Sequence, residues 1–170
     1  MTISRNIDVD CCTGLQAWKF TSILSTAVTM SAAVAHLMEI PGKMQYEPSL
    51  YVRLHRTLYP TFGKTAGYAE GVALLSTGAL AWWTQKRRPR AGFLTAAAAG
   101  CLAAAHGIFW TLVQPANKTM ASWPLDSIPS EWRRWRNQWE YSHAVRAVLV
   151  TGALGALVGA VLQEANTARA

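Results

Sequence analysis

The sequence predicts an all-α fold: an integral membrane four-helix up-down bundle with two long connections on one side carrying short amphipathic helices. Three observations lead there. Of the 170 residues, 51% are hydrophobic and only 15% charged, where soluble domains carry roughly 25%. Four apolar runs are long enough, at about 1.5 Å per residue, to cross a hydrocarbon layer of about 30 Å. The ionisable residues inside those runs are few, and a charge in a bilayer is costly enough that such residues face a bundle interior and mark function.

In chain order, residues 1–19 read as a polar tail with Arg5, Asp8, Asp10 and Lys19, and with Cys11 and Cys12 as an inert juxtamembrane pair. The membrane domain covers 20–163. Its first span is 20–40. Ala33-Val34-Ala35 imitates a signal-peptidase site, but the apolar run continues past it and two aspartates precede the run, so the segment reads as a retained span. Pro41-Gly42 is expected to stop that helix. Residues 43–64 form the first long connection, where Leu50, Leu54 and Leu58 recur every four residues and predict an amphipathic helix from Pro48 to Tyr59, lying on the membrane or capping the bundle.

The second span, 65–83, ends at the interfacial pair Trp82-Trp83. The basic loop Lys86-Arg87-Arg88-Pro89-Arg90 leads into the third span, 91–113, whose run Ala96 to Gly100 lets helices approach closely. Residues 114–138 hold Pro115, Pro124 and Pro129 and form the second long connection. Ser130 is an N-cap candidate for a helix carrying Trp132, Trp135 and Trp139 as an aromatic belt. The fourth span is 141–162, and 164–170 is a short tail.

The net charge of +7 does not imply nucleic acid, because the densest basic cluster sits in a short loop between apolar runs, as the positive-inside rule requires. That loop is expected in the cytoplasm with both termini, most simply at a bacterial inner membrane.

The organising stretch is Trp139-Glu140-Tyr141-Ser142-His143-Ala144-Val145-Arg146, where a Glu-x-x-His pair and an arginine enter a span. Its mirror image, His36-Leu37-Met38-Glu39, ends the first span, and the second and third spans supply Glu70 and His106. Residues three apart share one helix face. In an up-down bundle all six fall within roughly 10 Å of one another in depth. Glutamates with Glu-x-x-His pairs are the ligand supply of di-iron carboxylate bundles. Three imidazoles and three carboxylates suit a transition metal, iron first, then zinc, manganese or copper.

Charge points the same way, since three glutamates and Arg146 sum to minus two, which one divalent ion would cancel. A metal-free network of buried pairs satisfies the same charges, and bis-histidine haem is a further alternative that leaves the glutamates unexplained. Arg146, Glu70 and His143 are the expected catalytic groups, with Arg146 stabilising negative charge or holding an acidic substrate. Tyr68, Trp110, Asn117 and Tyr141 are candidate pocket walls.

Pro115-Ala116-Asn117-Lys118 after the third span, and Trp139 followed by Arg146 in the fourth, resemble the anthrone oxygenase-like group of small four-span membrane proteins, over about residues 20–162. The resemblance implies an oxygenase that turns anthrones into anthraquinones with O2 and no identified cofactor. The chain departs from that pattern in His143, where the group tends to have a smaller amide, and in its His-x-x-Glu pair.

The expected function is therefore a membrane oxidoreductase, an O2-dependent oxygenase or oxidase acting on a small hydrophobic or aromatic substrate at a His/Glu metal site. The alternatives are a cofactor-free enzyme with a His/Glu base and a non-enzymatic haem protein. The expected partners are the lipid bilayer, substrate and O2, with homo-oligomerisation left open and nucleic acid excluded.

Overall fold

The computed structural model describes the backbone of residues 3–167 and the side chains of residues 14–167. Cys11, Cys12 and the extreme ends of both tails lie outside the described side chains. All secondary structure among the described residues is helical: α1 (Ile3–Lys43), α2 (Pro48–Thr57), α3 (Tyr59–Gln85), α4 (Pro89–Ile108), a π-helical turn (Phe109–Val113), α5 (Gln114–Ser122) and α6 (Trp132–Thr167). Each long helix packs on two others: α1 and α4 both contact α3 and α6. Three stretches are long and apolar enough to cross a membrane, Gly14–Lys43, Pro89–Ser122 and Trp132–Thr167. Leu75, Phe93, Val148 and Phe20 are exposed on the outside, a surface suited to lipid.

The helices run further than the apolar runs do. Residues 14–19, expected in a tail, belong to α1, because Trp18 Nε1 donates to the Ser76 carbonyl at 2.7 Å and Lys19 pairs with Glu164. At its other end α1 passes through Pro41, which was expected to stop it, and closes at Lys43. Pro41 forfeits its own N–H bond to the previous turn and crowds the Leu37 carbonyl, but α1 ends at Lys43, so little helix remains beyond it to be displaced.

The third span likewise continues through Pro115 to Ser122. Just ahead of that proline the helix widens, and Gln114 N–H reaches back five residues to the Phe109 carbonyl, relieving the clash a proline ring makes in a regular helix. The expected second connection thereby shrinks to residues 123–131. The Trp132 helix and the fourth span are one rod, α6.

Between α3 and α4 the turn is tight. A Cβ on Gly92 would meet Gln85 Cα at 2.6 Å, and the Thr84 and Thr95 hydroxyls bond at 2.7 Å across the gap. Small residues then fill the centre, where Ala73, Ala98, Ala105 and Ala153 pack around Leu102 and Leu157. This is the close approach the alanine-rich third span predicts.

A second core forms at the opposite end. Tyr51, Val52, Val113, Met120, Trp132 and Trp139 pack there, so of the three tryptophans expected as an interfacial belt Trp132 and Trp139 are interior residues and Trp135 is partly buried. The helix α2 caps this end. Tyr51, Val52 and His55 are buried, whereas Leu50 and Leu58 point outward, because Tyr51 and His55 find hydrogen-bond partners inside.

Candidate functional site

Two linked polar clusters sit where α1, α2, α3, α4 and α6 meet. The first is built on Lys43. Because α1 continues to its end, Lys43 lies one turn beyond Glu39 and two beyond His36, on the same face. Its ammonium is buried, 2.9 Å from Glu140 Oε2 and 3.3 Å from Glu39 Oε2, ion contacts without hydrogen-bond alignment. It stands 4.8 Å from the Trp139 ring centre and 5.3 Å from that of Tyr59, within cation–π range.

Glu140 is fully buried and receives the Tyr51 hydroxyl at 2.9 Å on its other oxygen. Burial, reinforced by the Glu140 charge, pushes the Tyr51 phenol well above its ordinary range, which keeps it a proton donor. Glu39 is 44% exposed at its side chain and accepts from the Tyr59 hydroxyl at 3.0 Å.

The second cluster is built on Arg146. Its guanidinium donates to Glu70 Oε2 at 2.6 Å and to the Ala105 carbonyl at 3.1 Å, and meets His143 Nδ1 at 3.3 Å. Arginine has no acceptor, so His143 Nδ1 carries the lone pair and Nε2 the proton. Glu70 Oε1 lies 3.4 Å from His106 Nδ1, and Trp110 Nε1 donates to His106 Nε2 at 2.9 Å. The two clusters touch through the His36 and His143 rings, whose centres are 4.4 Å apart.

All six residues expected as ligands therefore belong to one contiguous network. They are not arranged around a metal: among the described residues no group of three or more His, Cys, Asp or Glu side chains is gathered to hold one. The reason is charge. Lys43, assigned from sequence to a connection, supplies the missing cation, so buried Glu70 and Glu140 each have one positive partner and Glu39 has solvent as well. With Lys43 counted, the deficit of two that a divalent ion was to cancel falls to one, and that remainder rests on Glu39, which shares Lys43 and is 44% exposed at its side chain. Haem fits no better at the closest histidine pair. With metal–nitrogen bonds of about 2 Å, two axial imidazoles stand about 6 Å apart between ring centres, while His36 and His143 pack directly together.

Beside the network lies a cavity of about 270 Å³, lined by His36, His55 and His143 and by the rings of Tyr59, Phe109 and Trp139. Asn117, expected as a pocket wall, also lines it. Tyr68, Trp110 and Tyr141 do not: Tyr68 is 79% exposed and the other two are more than half exposed. Successive helical residues turn by about 100°. With Glu70, Glu140 and His143 inward, Tyr68 and Tyr141 are carried outward.

No protein family model, curated protein or solved structure matches this chain. The site rests on its own geometry, and Asn117 is the part that geometry explains best. Trp139 Nε1 donates to Asn117 Oδ1 at 2.7 Å, and His55 Nε2 meets the same oxygen at 3.1 Å. An indole N–H can only donate, so this atom is the amide oxygen and His55 must donate to it as well. His55 is thereby held as its Nε2–H tautomer with the Nδ1 lone pair free.

Burial is the main reason that the His55 pKa falls to about 4; Lys43 and Arg56 lower it further, and the Asn117 bond opposes them. His55 is thus neutral when folded but protonates near 6.5 when unfolded. The unfolded state binds the extra proton between those values, so stability is greatest above pH 6.5 and falls as pH drops toward 4, by about 3 kcal/mol from this residue. Thermal unfolding in detergent at pH 7 and pH 4 measures this, with His55→Gln expected to show a smaller acid loss than the parent. Equal losses in both proteins refute the assignment.

Lys43, Tyr51, Tyr59 and His55 are the members of the site that the expected ligand set omits. The spacing His36, Glu39, Lys43 (i, i+3, i+7) is the sequence signal for the first. Tyr51 and His55 share a helix face of α2 in the same way.

Proposed function

We propose that α3 is a fourth crossing, that the four long helices form an up-down membrane bundle, and that its chamber oxidises a small aromatic substrate with O2 without a resident metal. The observation that carries this reading is the lining of the cavity: the imidazoles of His55 and His143, each held in one tautomer, line the space with aromatic rings, while the buried carboxylates are already paired with cations. The arrangement agrees with what the resemblance to the anthrone oxygenase-like group implies.

The chemistry that fits is removal of a proton from an acidic C–H beside a ring carbonyl. The His55 Nδ1 lone pair accepts it. The carbanion passes electrons to O2 and combines with it as a peroxide. His55 returns that proton to the peroxide. Loss of the second C–H proton and of hydroxide, which together make the water, leaves a new carbonyl, so CH2 and O2 become C=O and H2O. The Nε2–H of His143 donates a hydrogen bond to the departing oxygen. General acid–base groups of this kind contribute about 10²–10⁴-fold.

Oxygen uptake with a panel of enolisable aromatic ketones tests the reading. Turnover is expected to survive exhaustive chelation and to fall at least 100-fold in His55→Ala. Activity that disappears with chelation and returns with iron overturns the metal-free reading.

A further inference from the structure

The same cavity has a charge as well as a shape. Arg56, from α2, lines it beside the three imidazoles, and no aspartate or glutamate is among its lining residues. Arg56 donates through one terminal nitrogen to the Trp123 carbonyl. Its Nε is buried without a hydrogen-bond partner, and among the described residues no carboxylate lies within ion-pair distance of Arg56. His36 Nδ1, on the same cavity, is also buried and without a hydrogen bond. The Lys43 ammonium stands 4.8 Å from the centre of the Trp139 ring that lines the cavity.

A buried donor left without an acceptor is costly, and a guanidinium fork matches a carboxylate better than any other common anion except phosphate. The volume narrows the choice. A cavity of about 150 Å³ can hold benzene, so about 270 Å³ has room for one or two fused rings. The walls supplied by Tyr59, Phe109 and Trp139 present ring faces and edges.

We infer that the cavity binds a small aromatic carboxylate of one or two rings, with its carboxylate on the Arg56 guanidinium and its ring among Tyr59, Phe109 and Trp139. This deepens the proposed function by naming the substrate class of that site, and it rests on that reading only for what happens after binding.

Calorimetric titration of the full chain in detergent micelles with 2-naphthoate, 2-naphthamide and acetate tests it without reference to oxygen. Naphthoate is expected to bind at least 10-fold tighter than the neutral, isosteric amide and than the ringless acetate. Arg56→Gln is expected to weaken naphthoate by roughly 10- to 100-fold and to leave naphthamide unchanged. If Arg56→Gln fails to fold for want of its bond to Trp123, the three ligands on the parent protein still decide. Equal affinity for naphthoate and naphthamide overturns the carboxylate assignment, and equal affinity for naphthoate and acetate overturns the aromatic one. Naphthoate binding with no oxygen uptake from any aromatic carboxylate would leave this inference standing and remove the oxygenase reading alone.

Discussion

Replacing Lys43 with methionine is expected to lower stability by about 3–5 kcal/mol, the cost of leaving a buried charge without its partner. The charge in question is Glu140, whose carboxylate is fully buried and keeps only the Tyr51 hydroxyl once Lys43 is gone. Methionine keeps the unbranched stem and loses only the ammonium with its ion pairs and its contacts to the Tyr59 and Trp139 rings, so the loss reports the charge rather than the stem. Glu140→Gln in the same protein is expected to recover most of it, because the double variant removes both charges and a neutral amide still accepts from Tyr51. A double-mutant cycle read by thermal unfolding in detergent makes the comparison. Additive effects of the two substitutions would show that Lys43 and Glu140 do not act as a pair.

Arg146→Gln is expected to be as damaging to stability and more damaging to function. It strands Glu70, removes the donor to the Ala105 carbonyl and releases His143 Nδ1 in one step. Arg146→Lys is not expected to restore the parent, since one ammonium cannot reach three acceptors that lie in three directions around a planar fork. As a positioning residue, Arg146 has a spectroscopic signature: nitrogen chemical shifts of His143 should report the Nε2–H tautomer in the parent and a mixture of tautomers in Arg146→Gln. Oxygen uptake should fall at least 100-fold, in line with the loss of an oriented acid–base group. An unchanged tautomer in the variant would show that Arg146 does not hold that imidazole.

The helical fold and the convergence of His36, Glu39, Glu70, His106, Glu140 and His143 were legible in the sequence, because hydropathy and three-residue spacing are local signals. The role of Lys43 was not, and the cause is a single residue. A proline was read as a stop, although α1 carries it within its last turn. That misplacement removed Lys43 from the charge count and made a divalent ion look like a better match to the charge than it is. The repeat of Leu50, Leu54 and Leu58 marked the α2 helix but not which face turns inward: Leu50 and Leu58 are exposed, whereas the polar Tyr51 and His55 gain hydrogen-bond partners by turning inward. Facing also separates Tyr68 and Tyr141 from the pocket, because both sit outside. Asn117 was identified as a wall, but its task of fixing a tautomer depends on a tryptophan 22 residues away, which no local pattern reveals.

Trp139, Glu140, His143 and Arg146 all belong to the unbroken rod of α6, whose far end is clamped by Lys19 and Arg88 through Glu164. Their mutual spacing is consequently set by one backbone, and only their distances to Lys43 and Glu70 on the neighbouring helices are adjustable. A substitution that turns α6 about its axis would therefore carry all four groups together past Lys43 and Glu70, and loosen both ion pairs at once.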